Sequence, residues 1–210
     1  MKPFDVNGVF RSPSDDAGLR RLAVRGAGVT VFAQALGFAI QLIGTMVLAR
    51  LLSPADFGLV AMVTTFSLLL ASVGQIGLPE AVLQRDRIDH SLASNLFWIN
   101  IGLGSLLTIG FGAAGSLIAR FYDDPRAAHV AVGASLTIFF YSASVLHLSL
   151  LKRAMHFSAV SINDIPPRAV SVIVSILLAW TGWGYWALVA GAVSQPLTLS
   201  IGTWTLCRWV

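Results

Sequence analysis

Residues 27–49 read AGVTVFAQALGFAIQLIGTMVLA, a run of 23 positions without Asp, Glu, Lys or Arg. An α-helix needs about 20 apolar residues to cross the hydrocarbon core of a bilayer, so this stretch is long enough for one span. Similar runs follow, and 56% of the 210 residues are hydrophobic whereas 11% are charged. A soluble domain has about 25% charged residues. The composition therefore excludes a disordered chain, a disulfide-stapled secreted domain and most soluble enzymes, and it indicates a multi-spanning membrane protein.

The charge-free runs predict an all-α polytopic membrane bundle of six transmembrane helices. The last run, residues 169–207, is too long for one helix and has a turn signal at Thr181–Gly184. The fifth span must begin near Ser158 to cross, so it contains Pro166 and Pro167, which should kink it. A basic cytoplasmic tail at 1–26 precedes the predicted spans, which are about 27–49, 57–79, 92–118, 127–151, 158–181 and 185–207.

Basic residues orient this bundle. Eleven of the 14 Lys and Arg residues fall on the side of the N-terminus, and cytoplasmic loops carry an excess of these residues, so both termini are predicted to be cytoplasmic. The same rule accounts for the net charge of +4 without nucleic acid, which we do not expect as a partner. Cys207 is the one cysteine of the sequence, so no internal disulfide can form. No Cys/His spacing indicates a metal site, and we expect no cofactor.

Local sequence supports the span boundaries. Ser53 and Asp56 stand at the N-cap and N3 positions of the second span, with Pro54 at N1, which predicts a capping box. Leu52 and Phe57 stand where a hydrophobic staple would form. Four aromatic residues around the last turn predict an aromatic belt at the outer interface, namely Trp180, Trp183, Tyr185 and Trp186.

The first span carries polar residues at spacings of 4, 7 and 4, which places them on one helical face: Thr30, Gln34, Gln41 and Thr45. Polar residues inside a membrane usually face other helices or water. One interpretation is therefore the wall of a hydrophilic substrate cavity, and the alternative is hydrogen bonding between helices. Ala33 and Gly37 form a small-xxx-small pair on an adjacent face, which predicts a packing seam.

Four further residues are candidates for contacts with substrate. Asn100 and Gln195 are single polar residues within spans, and each suits either the cavity or a structural hydrogen bond. Arg25 and Arg168 lie in the cytoplasmic half and could bind an anionic headgroup, because the guanidinium fork matches a phosphate. Alternatively, Arg25 reaches lipid phosphates and Arg168 neutralises Asp164, four residues before it. No catalytic motif is found, so we do not expect an enzyme.

Five segments, in order along the chain, resemble the polysaccharide flippases of the multidrug/oligosaccharidyl-lipid/polysaccharide exporter superfamily. Leu48–Gly58 is similar to the first outer loop of that family, and Phe121–Pro125 to the second outer loop. The other three are Gly77-Leu78 with Leu83-Gln84-Arg85, Leu150–Phe157, where Lys152 replaces the usual Gln, and Gly182–Gly191. Pro166 and Pro167 depart from the small residues typical of the family.

The resemblance implies a transporter that moves an undecaprenyl-diphosphate-linked oligosaccharide across the inner membrane for lipopolysaccharide or other polysaccharide biosynthesis. Such proteins have two helical lobes around a central cavity and alternate by rocking one lobe against the other. Because family members are longer, this chain would be the first lobe alone, as a fragment or half-transporter. Its expected partners are the lipid-linked oligosaccharide, membrane lipids, and a second lobe or second copy.

Two other functions remain open at this point. A multidrug extruder of the same superfamily would need an intramembrane acidic residue for cation coupling, and Asp164 is the candidate. An integral-membrane polymerase or glycosyltransferase of the same pathway would place charged residues in a large outer loop. The outer loops predicted here are all short.

Overall fold

The computed structural model describes residues 16–75, 90–154 and 157–207, with side chains in 27–70, 90–154 and 158–207. Within these ranges the chain is helical and has no strand, which confirms the predicted all-α membrane bundle. The helices are α1 (Asp16–Leu51), α2 (Pro54–Gln75), α3 (His90–Tyr122), α4 (Arg126–Arg153), α5 (Phe157–Asn163), α6 (Ile165–Trp180) and α7 (Tyr185–Leu206).

Among the described residues, four stretches are long and apolar enough to cross a membrane: Ala27–Leu51, His90–Tyr122, Arg126–Arg153 and Ser158–Trp180. The last combines α5 and α6. Helix α2 is shorter over its side-chain-described apolar part, Pro54–Leu70, and α7 has 22 residues that include the polar Ser194 and Gln195. Helices thus stand at all six predicted places, and the protein is a multi-pass membrane protein. Six complete crossings, with cytoplasmic termini, remain a prediction.

Helix α4 is the centre of the bundle. It is 61% buried over its most apolar window, compared with 22% for α1 and for α3, because α2, α3 and α7 all pack on it. Its small residues allow this close approach, as at Ala127 and Ala131, which are fully buried in a cluster that also contains Phe111 of α3 and Val189 of α7. The outward surface is apolar instead, with side chains such as Phe32 and Ile109 about 70% exposed.

The start of α2 has the predicted capping box. The Asp56 amide donates to Ser53 Oγ at 3.3 Å, and the Ser53 amide donates to Asp56 Oδ2 at 3.2 Å. Two donors that the first helical turn leaves without partners are thereby satisfied. Leu52 and Phe57 belong to one apolar cluster at this end of the bundle, as a hydrophobic staple requires.

The turn between α6 and α7 follows the glycine signal. The Gly182 amide donates to the Ala179 carbonyl and the Trp183 amide donates to the Leu178 carbonyl, both at 3.1 Å, which is the Schellman pattern. Gly182 has φ +82°, a left-handed conformation that other residues rarely adopt. Trp180 and Trp183 are exposed beside it, as the aromatic-belt prediction requires.

The fifth span is broken at the predicted proline site by a one-residue turn at Asp164, whose backbone angles stay helical at φ −82° and ψ −17°. Helix α5 ends at Asn163, Asp164 forms a turn, and α6 begins with Ile165, which puts Pro166 and Pro167 in its first turn. Prolines have no amide hydrogen, so the carbonyls of Ile162 and Asn163 receive no helical hydrogen bond across this point. The two prolines thus start a second helix inside one span.

Candidate functional site

A cluster of polar side chains joins α1 to the break between α5 and α6. The Thr30 and Ser161 hydroxyl oxygens lie 2.7 Å apart in a hydrogen bond. Further along α1, Gln34 Oε1 accepts from Arg168 Nη2 at 2.9 Å, and the Gln34 amide nitrogen lies 3.5 Å from Asp164 Oδ2. The cluster therefore combines two predicted cavity residues with one predicted headgroup residue, which lie about 130 positions apart in sequence.

Arg168 is the charged centre of this cluster. Its Nη2 lies 2.5 Å from Asp164 Oδ2, which confirms that these two residues pair along the chain at i and i+4. Both side chains are partly exposed, 22% for Arg168 and 32% for Asp164. The guanidinium group has five N–H donors in a fork. The ion pair with Asp164 and the hydrogen bond to Gln34 share the same nitrogen, Nη2. The Nε and Nη1 donors make no hydrogen bond to any residue that the structure describes, and Nη1 packs against α1 at Gly37.

Glycine makes room for this arginine. A Cβ added at Gly37 would lie 2.5 Å from Arg168 Nη1 and 2.8 Å from its Cδ, so the guanidinium packs directly on the α1 backbone. Two turns further along α1, Gly44 receives Val172 in the same way, at 2.6 Å. Ala33 is buried on the same side. The predicted small-residue seam is therefore formed, and it is the face on which α1 packs against α6.

The rest of the polar α1 face is open to the surroundings. Gln34, Gln41 and Thr45 are exposed, and the Thr45 hydroxyl donates to the Gln41 carbonyl at 2.9 Å. Exposure of these side chains is compatible with a cavity wall, which remains a prediction. Arg25 lies in α1 outside the residues whose side chains the structure describes.

Asn100 and Gln195 lie apart from this cluster and from one another. Asn100 is 4% exposed, and its amide donates to the Ser142 carbonyl at 2.7 Å, between α3 and α4. Its side chain thus joins two helices, and we leave it out of the proposed cavity. Gln195 is exposed and lines a pocket of about 360 Å³ between α2, α4 and α7.

Sequence reasoning missed the other polar residues of this pocket. Thr64 and Ser67 come from α2, and Thr137 and Tyr141 come from α4. They are hydroxyl residues within otherwise apolar helices, and a hydroxyl inside a helix often bonds its own backbone without any function. The pocket exists only because three helices, α2, α4 and α7, meet around it. The spacing of residues within a single span does not indicate such a pocket. In the described part of the chain, no three His, Cys, Asp or Glu residues are grouped to hold a metal.

Comparisons with known proteins agree with this architecture. Residues 47–210 match the family described as "Polysaccharide biosynthesis protein". The chain is 26% identical over 189 residues to the succinoglycan biosynthesis transport protein ExoT of Rhizobium meliloti (strain 1021), covering 90% of this chain and 38% of that protein. It is 23% identical over 146 residues to the lipopolysaccharide biosynthesis protein WzxC of Escherichia coli (strain K12), covering 70% of this chain and 30% of that protein.

The chain spans well under half the length of these relatives, and no solved structure matches it significantly. A shorter match, 34% identical over 74 residues, is to an uncharacterized membrane protein in the cps region of Klebsiella pneumoniae. The family match covers more than three quarters of the sequence, and the first two relatives are named for succinoglycan biosynthesis transport and for lipopolysaccharide biosynthesis. On these grounds the chain belongs to the polysaccharide biosynthesis protein family of multi-pass membrane proteins.

Proposed function

We propose that this chain forms one lobe of a flippase that moves an undecaprenyl-diphosphate-linked oligosaccharide across the inner membrane, from a cytoplasmic N-terminal side. Relatives named for succinoglycan transport and lipopolysaccharide biosynthesis support the general class of function. Their greater length supports a second lobe, or a second copy of this chain, as the partner that completes the cavity.

The observation that carries the proposal is Arg168 in the polar cluster. A charged residue within a membrane span is costly and usually faces a water-filled cavity or a partner. Arg168 has a partner in Asp164, yet it keeps 22% of its side chain exposed and has unused donors. A diphosphate carries more negative charge than a carboxylate and accepts two parallel N–H bonds from a guanidinium. The headgroup would therefore compete with Asp164 for Arg168.

The polar α1 face extends this site along the span. Gln34 contacts Arg168 directly, and Gln41 and Thr45 continue the exposed face away from it. In our proposal Arg168 and Gln34 hold the diphosphate, and the polar face lines the route of the sugars. Arg25 would join the headgroup site from the cytoplasmic end of the same helix.

The multidrug alternative relies on Asp164 as a cation-coupling residue. In the structure the Asp164 carboxylate is bonded to Arg168 and near the Gln34 amide, so a built-in cation already occupies it. This arrangement favours anion exchange at Arg168 over direct cation capture at Asp164.

The test is binding of radiolabelled undecaprenyl diphosphate by the purified chain in phosphatidylcholine nanodiscs. We expect Arg168→Gln to weaken binding about tenfold or more, because charge-assisted hydrogen bonds are lost. Arg168→Lys, which keeps the charge but loses the fork, should give an intermediate loss. Arg126→Gln is the matched control, since Arg126 also pairs with an aspartate, Asp124 at 3.6 Å, but at the start of α4, on the side that is predicted to be outside. Equal binding by the Arg168→Gln and Arg126→Gln variants would refute the headgroup site.

A further inference from the structure

The pocket between α2, α4 and α7 has a chemistry unlike that of the Arg168 cluster. Its volume is about 360 Å³, and among the described residues that line it none is charged. Its polar members are Thr64, Ser67, Thr137, Tyr141 and Gln195. Such a concentration of polar groups at membrane depth is costly unless the groups face water or a polar ligand. The size falls within the range of small-molecule sites, which combine apolar walls with a few polar groups.

Hydrogen bonds already made by the threonines determine what this pocket can bind. Thr64 donates its hydroxyl hydrogen to the Val60 carbonyl at 2.7 Å, and Thr137 donates to the Ala134 carbonyl at 2.6 Å. A hydroxyl has one hydrogen and two lone pairs, so each of these oxygens can offer only acceptor capacity to a ligand. They suit a ligand that donates O–H groups and do not suit a phosphate or a carboxylate, which only accept.

A proline adds one more acceptor. Pro196 lies inside α7 and lines the pocket, as does Ala192 one turn before it. Pro196 has no amide hydrogen, so it cannot bond the Ala192 carbonyl as another residue would. One α7 carbonyl beside the pocket therefore lacks its usual helical donor, in addition to the acceptor-only threonine oxygens of α2 and α4.

The remaining polar groups can both donate and accept. Neither the Tyr141 phenol nor the Gln195 amide makes a hydrogen bond to any residue that the structure describes, so both remain available to a ligand. A flat aromatic ring also offers a surface on which the C–H face of a pyranose can lie. Helix α7 lines the pocket and also packs on the end of α5, where a Cβ added at Gly202 would lie 2.9 Å from Asn163 Cγ, so one helix borders both the pocket and the α5–α6 break.

We propose that this pocket binds one neutral sugar ring of the lipid-linked oligosaccharide while the diphosphate is held at Arg168. The inference rests on the proposed function and adds the place and the polarity of the sugar subsite. The two sites divide the substrate by hydrogen-bond type. The Arg168 site donates to an acceptor-only anion, whereas the pocket combines two acceptor-only threonine oxygens with groups that both donate and accept, as neutral sugar hydroxyls do.

Adjacent threonines on α2 provide a matched pair for the test. Thr64 and Thr65 both donate to the carbonyl four residues before them, at 2.7 and 2.9 Å, but only Thr64 lines the pocket. Each is changed to Val, which keeps the shape and removes the hydroxyl oxygen. Two radiolabelled lipids are compared in phosphatidylcholine nanodiscs: undecaprenyl diphosphate, and the same lipid carrying a neutral disaccharide.

We expect the parent chain to bind the disaccharide lipid more tightly than the bare lipid. Thr64→Val and Thr137→Val should each weaken binding of the disaccharide lipid about fivefold, the effect of one lost hydrogen bond, and leave the bare lipid unchanged. Thr65→Val should change neither. Thermal unfolding midpoints close to that of the parent establish that each variant is folded.

The outcomes separate the two proposals. If the parent binds both lipids equally, or if Thr64→Val and Thr65→Val behave alike, the sugar subsite is refuted and the headgroup site stands. If the pocket variants weaken the bare lipid as much as the disaccharide lipid, the subsite is also refuted. If the parent binds neither lipid, the proposed function itself fails and the subsite fails with it.

Discussion

Replacing Gly37 by alanine tests whether the α1 backbone positions Arg168. The added methyl group would lie 2.5 Å from Arg168 Nη1 and 2.8 Å from Cδ, whereas non-bonded carbon atoms normally approach to about 3.5 Å. The guanidinium must therefore move away from α1 by about 1 Å. We expect that shift to weaken its 2.9 Å bond to Gln34, because Gln34 lies on α1, from which the arginine moves away, whereas Asp164 stands beside α6, which carries the arginine.

Two opposing effects set the size of the change. A hydrogen bond to a charged group contributes about 1.5–3 kcal/mol, and partial exposure puts this one at the lower end. Alanine is favoured over glycine in a helix interior by about 0.5–1 kcal/mol. We therefore expect Gly37→Ala to lower the free energy of unfolding by about 1 kcal/mol in SDS titrations followed by circular dichroism. Gly102→Ala isolates the helix-propensity gain, since an added Cβ there meets nothing within 4 Å, and it should stabilise the protein.

A double-mutant cycle shows whether Arg168 is the cause. In an Arg168→Ala background the clash disappears, so adding Gly37→Ala should then stabilise the chain as Gly102→Ala does. Gly44→Ala, which instead crowds Val172, should keep its cost in that background. The reasoning is refuted if Gly37→Ala is as stabilising as Gly102→Ala in the parent, or if its cost persists without Arg168.

Two further predictions concern α2 and the polar face of α1. Ser53→Ala removes the hydroxyl that accepts from the Asp56 amide, and it should cost about 1 kcal/mol of unfolding free energy in the same titration; an unchanged midpoint would contradict the capping box. Gln41→Cys should react with a small water-soluble thiol reagent in membranes, whereas Ile43→Cys should not. Both positions are exposed on the bundle, but only the polar face of α1 is expected to meet water. The native Cys207 is buried and adds little background labelling. Equal labelling of the two introduced cysteines would refute the prediction that the polar α1 face lines a cavity.

Local features of the bundle could be predicted because their physics is local. The capping box at Ser53 needs residues three apart, the Schellman turn needs Gly182 just after a helix, and the ion pair of Asp164 with Arg168 needs a spacing of four. In each case the residues that determine the geometry are neighbours in sequence. The helix positions followed in the same way from uncharged runs.

Features that depend on which helices meet could not be predicted. Nothing in the first span indicates that Gln34 lies beside Arg168, 134 positions later, or that Gly37 receives its side chain. Asn100 and Gln195 are both single amide residues in predicted spans, so the sequence does not distinguish them. In the structure, Asn100 is buried between two helices, whereas Gln195 is exposed beside a pocket. The prolines predicted a kink, and the helix is indeed broken there by a one-residue turn at Asp164, but the sequence did not predict that both prolines lie in the first turn of α6.

The interrupted fifth span gives α1 a mechanical role. Two successive main-chain hydrogen bonds are missing where α5 ends, so the backbone alone sets the angle between α5 and α6 only weakly. Helix α1 crosses this joint and holds both sides of it, through Thr30 to Ser161 before the joint and through the Gly37 and Gly44 contacts after it. Helix α1 thus fixes the angle between α5 and α6 from outside, through side-chain contacts rather than through main-chain hydrogen bonds. Releasing those few contacts would free the joint while leaving every helical hydrogen bond intact.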